Sequence, residues 1–168
     1  EVIDLTLRDK FNLILEWLLE AAQAVYGDRL IALLVYGSVG RGRPRPDSDI
    51  DVLLVAESLP PGRFARLKQF EEVEQRLEPA LSELSGEGIS TSLSPVFKTP
   101  EEVLRGSLLF LDMIDDAITL YDRDSFMKAY LARLAKRLAE LGAKKVVRGN
   151  AWHWVLKPDY REGEVFEV

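Results

Sequence analysis

The chain has 168 residues, 47% hydrophobic and 30% charged, with a formal net charge of −6. That mix marks a soluble globular protein long enough for one good core, and no apolar run is long enough to span a bilayer. Cysteine is absent, which excludes disulfides and thiolate metal sites; with no signal peptide opening the chain, a cytoplasmic protein without a membrane partner is expected.

Residues 7–26 read as a long helix, with Phe11, Ile14, Leu15, Trp17, Leu18, Ala21, Ala22 and Val25 covering more than one narrow stripe. So apolar a helix makes a homodimer plausible. Gly27-Asp28 ends it, and an apolar strand follows over 30–36.

The segment from Tyr36 to Val55 is the most informative in the chain. The strand stops at Gly37-Ser38, a loop rich in glycine and arginine follows to residue 48, and a second apolar strand runs over 49–55. Asp49 and Asp51 share one face of that strand, because side chains at i and i+2 point the same way. Two like charges held so close repel, which a divalent cation between them relieves. Gly37 permits close approach or positive φ, and Ser38 adds a hydroxyl where a helical turn could start. Arg41, Arg43 and Arg45 supply guanidinium forks suited to phosphate oxygens, and Pro44 and Pro46 stiffen the tether. The layout points to metal plus phosphate.

Gly37-Ser38, Arg41-Gly42 and Ser48-Asp49-Ile50-Asp51 resemble the signature of the DNA polymerase β-like nucleotidyltransferase superfamily. The likeness is strongest to its small prokaryotic members, the minimal nucleotidyltransferases paired with HEPN-domain proteins and the aminoglycoside nucleotidyltransferases. Flanking elements extend it over about residues 7–97. The resemblance implies an α/β (α+β) nucleotidyltransferase fold with a mixed sheet flanked by helices. It also implies transfer of a nucleoside monophosphate from a nucleoside triphosphate, ATP being the expected donor, to an unknown hydroxyl, with Mg²⁺ or Mn²⁺ as cofactor. Asp49 and Asp51 would then be catalytic and hold the metal. Gly37, Ser38, Arg41, Arg43 and Ser48 would bind the nucleotide, Arg41 chiefly at the leaving pyrophosphate. A HEPN-type protein is the partner implied.

Beyond the signature, Pro60-Pro61-Gly62 breaks the chain. A second long helix is expected over 63–84, kinked or divided by Pro79. A strand is expected over 89–97 after Gly86 and Gly88. Thr99-Pro100-Glu101-Glu102 starts a helix that should reach about 109, with a cap residue, proline at the first position and acids against the dipole. Residues 117–121 read as another strand, and 124–141 as a basic helix closed by Gly142. One domain over 1–168 is expected, with a core over about 7–121 and a C-terminal helix and aromatic tail over 122–168.

The segment 89–97 departs from the family pattern. Transferring members carry a third acid on this strand, as metal ligand and base; here its polar side is Ser90, Ser92 and Ser94. A serine cannot replace a carboxylate in either role at neutral pH. Glu87, Asp112, Asp115 or Asp116 could supply the acid, although the last three read more simply as solvated or capping residues at a helix end. The alternative reading is therefore a nucleotide-binding regulatory or antitoxin-type module with weak or lost transfer.

Between Arg123 and Arg148, eight basic residues face two acids, so this segment is about +6 and the remainder about −12. Nucleic acid could meet such a face, but a solvated helix surface, with the apolar stripe turned inward, is the favoured reading. Trp152 and Trp154 should share one face of an extended segment with His153 opposite. They are expected to cover exposed core or, failing that, to form a lid over the nucleotide.

Overall fold

The computed structural model describes residues 5–149 and 151–168. Thr6 caps the first helix, α1 (Leu7–Tyr26), in a reciprocal capping box with Asp9, whose carboxylate accepts from the Thr6 backbone N–H at 3.0 Å. Strand β1 (Leu30–Tyr36) follows, then a helical turn α2 (Gly37–Gly40) and strand β2 (Ile50–Ala56). Helix α3 (Arg63–Gly86) leads to β3 (Leu93–Lys98). Helix α4 (Pro100–Arg105) opens with the Thr99–Glu102 capping box. After a 3₁₀ turn at Leu108–Asp112 come α5 (Met113–Asp116), β4 (Ile118–Asp122) and α6 (Phe126–Leu141). A hairpin of β5 (Lys144–Arg148) and β6 (Ala151–Val155) comes last.

The main sheet has the order β3-β2-β1-β4. It is mixed: β2 pairs antiparallel with β1, which pairs antiparallel with β4, whereas β3 runs parallel to β2 after the α3 crossover. Both central strands are buried on both faces, which is why their sequences read as continuous apolar runs. Leu33, Val35, Val52 and Leu54 join the α1–α3 cluster on one face. Leu34, Leu53 and Val55 join Val103, Phe110, Met127 and Leu138 on the other. The structure is thus the expected α+β fold, a mixed sheet between helical layers.

Several expectations are corrected. Pro79 does not divide α3, which continues from Arg63 to Gly86. It and Gln75, whose carbonyl it leaves without a helical donor, are both exposed, so water can satisfy that group. Strand β3 starts at Leu93 rather than at 89: Gly88 turns with φ 88°, and Ile89 is buried against the end of α3. Proline at position 95 is tolerated because β3 is an edge strand. Helix α4 stops at Arg105, because Gly106 takes φ 86° and redirects the chain.

The aromatic tail is a hairpin, its register placing Val147 opposite Trp152, Lys145 opposite Trp154 and Val146 opposite His153. Trp154 packs on the second core cluster, as expected of a cover. Helix α1 buries Phe11, Ile14, Leu15 and Leu18 inside its own chain. On α6, Met127, Leu134 and Leu138 are buried, leaving the basic residues outward. Among the described residues no helix is long and apolar enough to cross a membrane.

Candidate active site

The signature forms the open end of the β1–β2 pair. Where β1 ends, Gly37 takes φ 69° and the chain enters α2. A Cβ built on Gly37 would collide with Oδ2 of Asp51, so the carboxylate packs directly against the backbone of the turn. A Cβ on Gly40 would lie 2.7 Å from the Val35 carbonyl oxygen and 2.9 Å from that of Asp116. Glycine at both positions is a steric requirement.

Ser48 pins the loop. Among the described residues it is the one non-aromatic polar side chain that is buried, at 4% exposure. Its hydroxyl accepts from the Arg45 backbone N–H at 2.7 Å and from Ser38 Oγ at 3.2 Å, and its carbonyl accepts from Thr91 Oγ1 at 2.5 Å. Sequence reasoning placed Ser38 and Ser48 in the nucleotide site; the structure joins them to each other. Arg41, Arg43 and Arg45 are all exposed, and Arg45 faces Asp47 at 3.6 Å. Of the three, only Arg41 is tied to the acidic pair, its charge opposing the upward shift of the Asp51 carboxyl.

Asp51 lies on β2 with Tyr36 and Ser94 as its register neighbours on either side. Register partners share a face, so Tyr36, Asp51 and Ser94 lie together, with Asp49 one step along. Ser92 Oγ donates to Asp49 Oδ1 at 2.9 Å. Burial pushes the Asp51 carboxyl up, and the neighbouring Asp49 charge adds to that. The serines therefore stand where a third acid would complete the set, with Ser92 and Ser94 beside the aspartates. Ser90 lies outside the strand and its N–H donates to the Pro46 carbonyl at 2.9 Å.

None of the substitute acids fills the gap directly. Glu87 pairs with Lys10 at 3.0 Å. Asp115 and Asp116 lie 4.0 and 3.7 Å from Lys145. Asp112 accepts from Trp152 Nε1 at 3.1 Å. These three acids are not merely solvated; they anchor the C-terminal hairpin.

Tyr36 was not among the expected site residues, and Trp152 was expected to cover core or, failing that, to form a lid over the nucleotide. Burial raises the Tyr36 phenol, and the Asp51 and Asp112 charges raise it further. Its position directly before Gly37 was the available signal. The Trp152 ring lies under Arg41, and nothing in the chain pointed to that pairing.

Among the described residues no group of three or more histidines, cysteines or acids could hold a metal. Asp49 and Asp51 still fit Mg²⁺, which is commonly bound through one or two carboxylates, with substrate phosphates and water completing its shell. The Asp51 carboxyl, pushed up beside a like charge, has the electrostatic need that a cation meets.

Residues 15–99 match the family model described as the nucleotidyltransferase domain. A Methanocaldococcus jannaschii protein, provisionally named a protein adenylyltransferase, is 31% identical over 125 residues, spanning 73% of this chain and 80% of the relative. Among solved structures, a complex of a tri-AMPylated Shewanella oneidensis HEPN toxin with an MNT antitoxin aligns at TM-score 0.49 and 13% identity, over 77% of this chain and 87% of that one. A toxin–antitoxin structure with AMP-PNP aligns at TM-score 0.47 and 18% identity, over 76% and 92% respectively. Structural likenesses this distant carry no weight by themselves.

Proposed function

We infer the reaction from one premise: the chain belongs to the nucleotidyltransferase domain family and is a transferase. In our reading it moves AMP from ATP to a hydroxyl group on a protein, in the cytoplasm. The observation that carries it is the packing of Asp51 against Gly37, with Asp49 and Arg41 alongside, at the open end of the sheet. The acceptor class is supported by the name of the M. jannaschii relative.

The acceptor oxygen bonds to the α phosphorus as the bond from that phosphorus to its bridging oxygen breaks and pyrophosphate leaves. The Gly37-Ser38 turn holds the β or γ phosphate, braced from behind by Ser48. Arg41 offsets charge on the leaving pyrophosphate, with Arg43 of the same loop as the second, less direct cation. Asp49 and Asp51 would hold Mg²⁺, which when bound neutralises the triphosphate. Ser92 donates to Asp49, so the position of the third acid carries a donor where a base is wanted. The acceptor proton therefore passes to water, and transfer is slow.

The same serines favour a second reading, an antitoxin-type or regulatory module that binds nucleotide with little turnover. A HEPN-type protein, the partner class implied by the signature, is the first acceptor to test. Labelled ATP, Mg²⁺ and either cell lysate or a HEPN-type protein encoded beside this gene form the experiment. A labelled protein band, lost on chelation of the metal, is expected. Label in RNA or a metabolite would overturn the acceptor class, and intact binding without label would select the second reading.

A further inference from the structure

Trp152 belongs to β6, far outside the residues 15–99 that match the family. Even so, its indole lies under the signature loop. The Arg41 guanidinium carbon is 4.6 Å from the ring centroid, and Lys145 Nζ is 5.1 Å from the same ring. The indole N–H donates to Asp112 Oδ1 at 3.1 Å, which fixes the plane of the ring. Lys145 is itself anchored by Asp115 and Asp116, and the Asp116 carbonyl abuts Gly40 in α2. The hairpin, the α5 turn and the signature loop thus meet at one indole.

Arg41 is exposed, and a long side chain in water has no preferred direction unless a neighbour holds it. An aromatic face attracts a guanidinium and restricts it to the plane above the ring. With Arg41 on the ring, that face is not open to a nucleobase.

We propose that Trp152 is a positioning residue, a plate on the C-terminal hairpin that holds Arg41 ready for the triphosphate. The proposal rests on the reading of Arg41 as a ligand of the leaving pyrophosphate. It explains why the two tryptophans divide their tasks: Trp154 covers core, while Trp152 serves the loop.

Calorimetric affinity for ATP and for AMP, each with Mg²⁺, tests it in the full chain. Trp152→Leu keeps apolar bulk without a π face, Trp152→Phe keeps the face without the N–H, and Arg41→Ala removes the cation. Arg41→Ala should weaken ATP by roughly tenfold, as loss of a charge-assisted contact does, while AMP changes by less than about twofold. Trp152→Leu should weaken ATP roughly threefold to tenfold with AMP equally spared, the range of a cation–π contact. Trp152→Phe should restore most of the ATP affinity. The Arg41→Ala/Trp152→Leu double variant should match Arg41→Ala alone.

If Arg41→Ala weakens ATP but Trp152→Leu does not, the positioning role is wrong and the pyrophosphate reading stands. If Arg41→Ala leaves ATP unchanged, the pyrophosphate reading fails first. Equal loss of ATP and AMP in Trp152→Leu, or no rescue by phenylalanine, would mean general damage and would overturn the proposal. Should Trp152→Leu fail to fold, Asp112→Ala, which frees the indole edge, gives the same ATP-over-AMP test.

Discussion

Ser92 Oγ and Asp49 Oδ1 are joined by a 2.9 Å hydrogen bond that spans 43 residues of sequence and crosses from the entry of β3 to the entry of β2. A hydroxyl thus faces the acidic pair from the position where a third carboxylate would complete it. The bond is a donation to Asp49, so residue 92 meets the aspartate with a hydrogen-bond donor rather than with a further charge.

Replacing that hydroxyl tests its role. Ser92→Asp places a third carboxylate beside Asp49. Without Mg²⁺ this should lower the melting midpoint by about 3 °C, since like charges on neighbouring strands cost up to about 1 kcal/mol. With Mg²⁺ the loss should vanish and AMP transfer should rise by roughly tenfold or more, as a positioned base provides. Ser90→Asp should do neither, because residue 90 lies outside β3. Calorimetric melting and labelled-ATP transfer read both effects.

Gly37 and Asp51 cannot be changed independently. Gly37→Ala sets a methyl group against Asp51 Oδ2 on a backbone with φ 69°. The backbone alone costs about 1–2 kcal/mol, and relief comes only by displacing the carboxylate. The variant should stay folded by circular dichroism, melt lower, and lose Mg²⁺-dependent ATP binding by calorimetry. Undiminished ATP affinity would refute the site.

Asp49→Asn with Asp51→Asn should abolish Mg²⁺-dependent ATP binding. The same variant should melt above the wild type when no metal is present. Burial and the Asp49 charge both disfavour the charged form of Asp51, so its ionisation destabilises the fold at neutral pH and removing it relieves that. The wild-type deficit should shrink as pH falls and Asp51 takes up a proton. A double variant that melts lower at neutral pH would contradict this account.

A separate ion pair governs acid stability. The Arg66 guanidinium grips Glu102 at 2.7 and 3.1 Å, and Thr99 adds to the hold, so the Glu102 carboxyl is pulled down to about 2 from 4.5. A depressed acid contributes stability that is present above its unfolded value and lost as pH falls through its folded one. Between pH 4.5 and about 2 the protein should therefore lose on the order of 2 kcal/mol from this group. Glu102→Gln should melt lower at pH 7 and show a flatter midpoint-against-pH curve across that window.

Local chemistry made much of the architecture legible. Helix α1 and strand β1 begin and end where the periodicity and Gly27 indicate, because caps, turns and apolar period act within a few residues. The Thr99 cap and the Gly142 stop followed from the same short-range rules. The acidic pair and the glycine turn were also readable, since alternation alone puts Asp49 and Asp51 on one face. Pro79 does not divide α3, because exposure lets water replace the bond that proline removes.

The sequence by itself determined the long helices, the central strands and the acidic pair with its glycine turn, for these are written in neighbouring residues. Tertiary structure alone decided what stands around that end. Which serines face the aspartates depends on where β3 starts, and that was set by Ile89 entering the core, a long-range packing event with no local mark. The meeting of Trp152 with Arg41 depends on a hairpin folding back across more than a hundred residues. Contacts of that separation form because they bury surface and satisfy charge in the whole molecule, and no periodicity in the chain reports them.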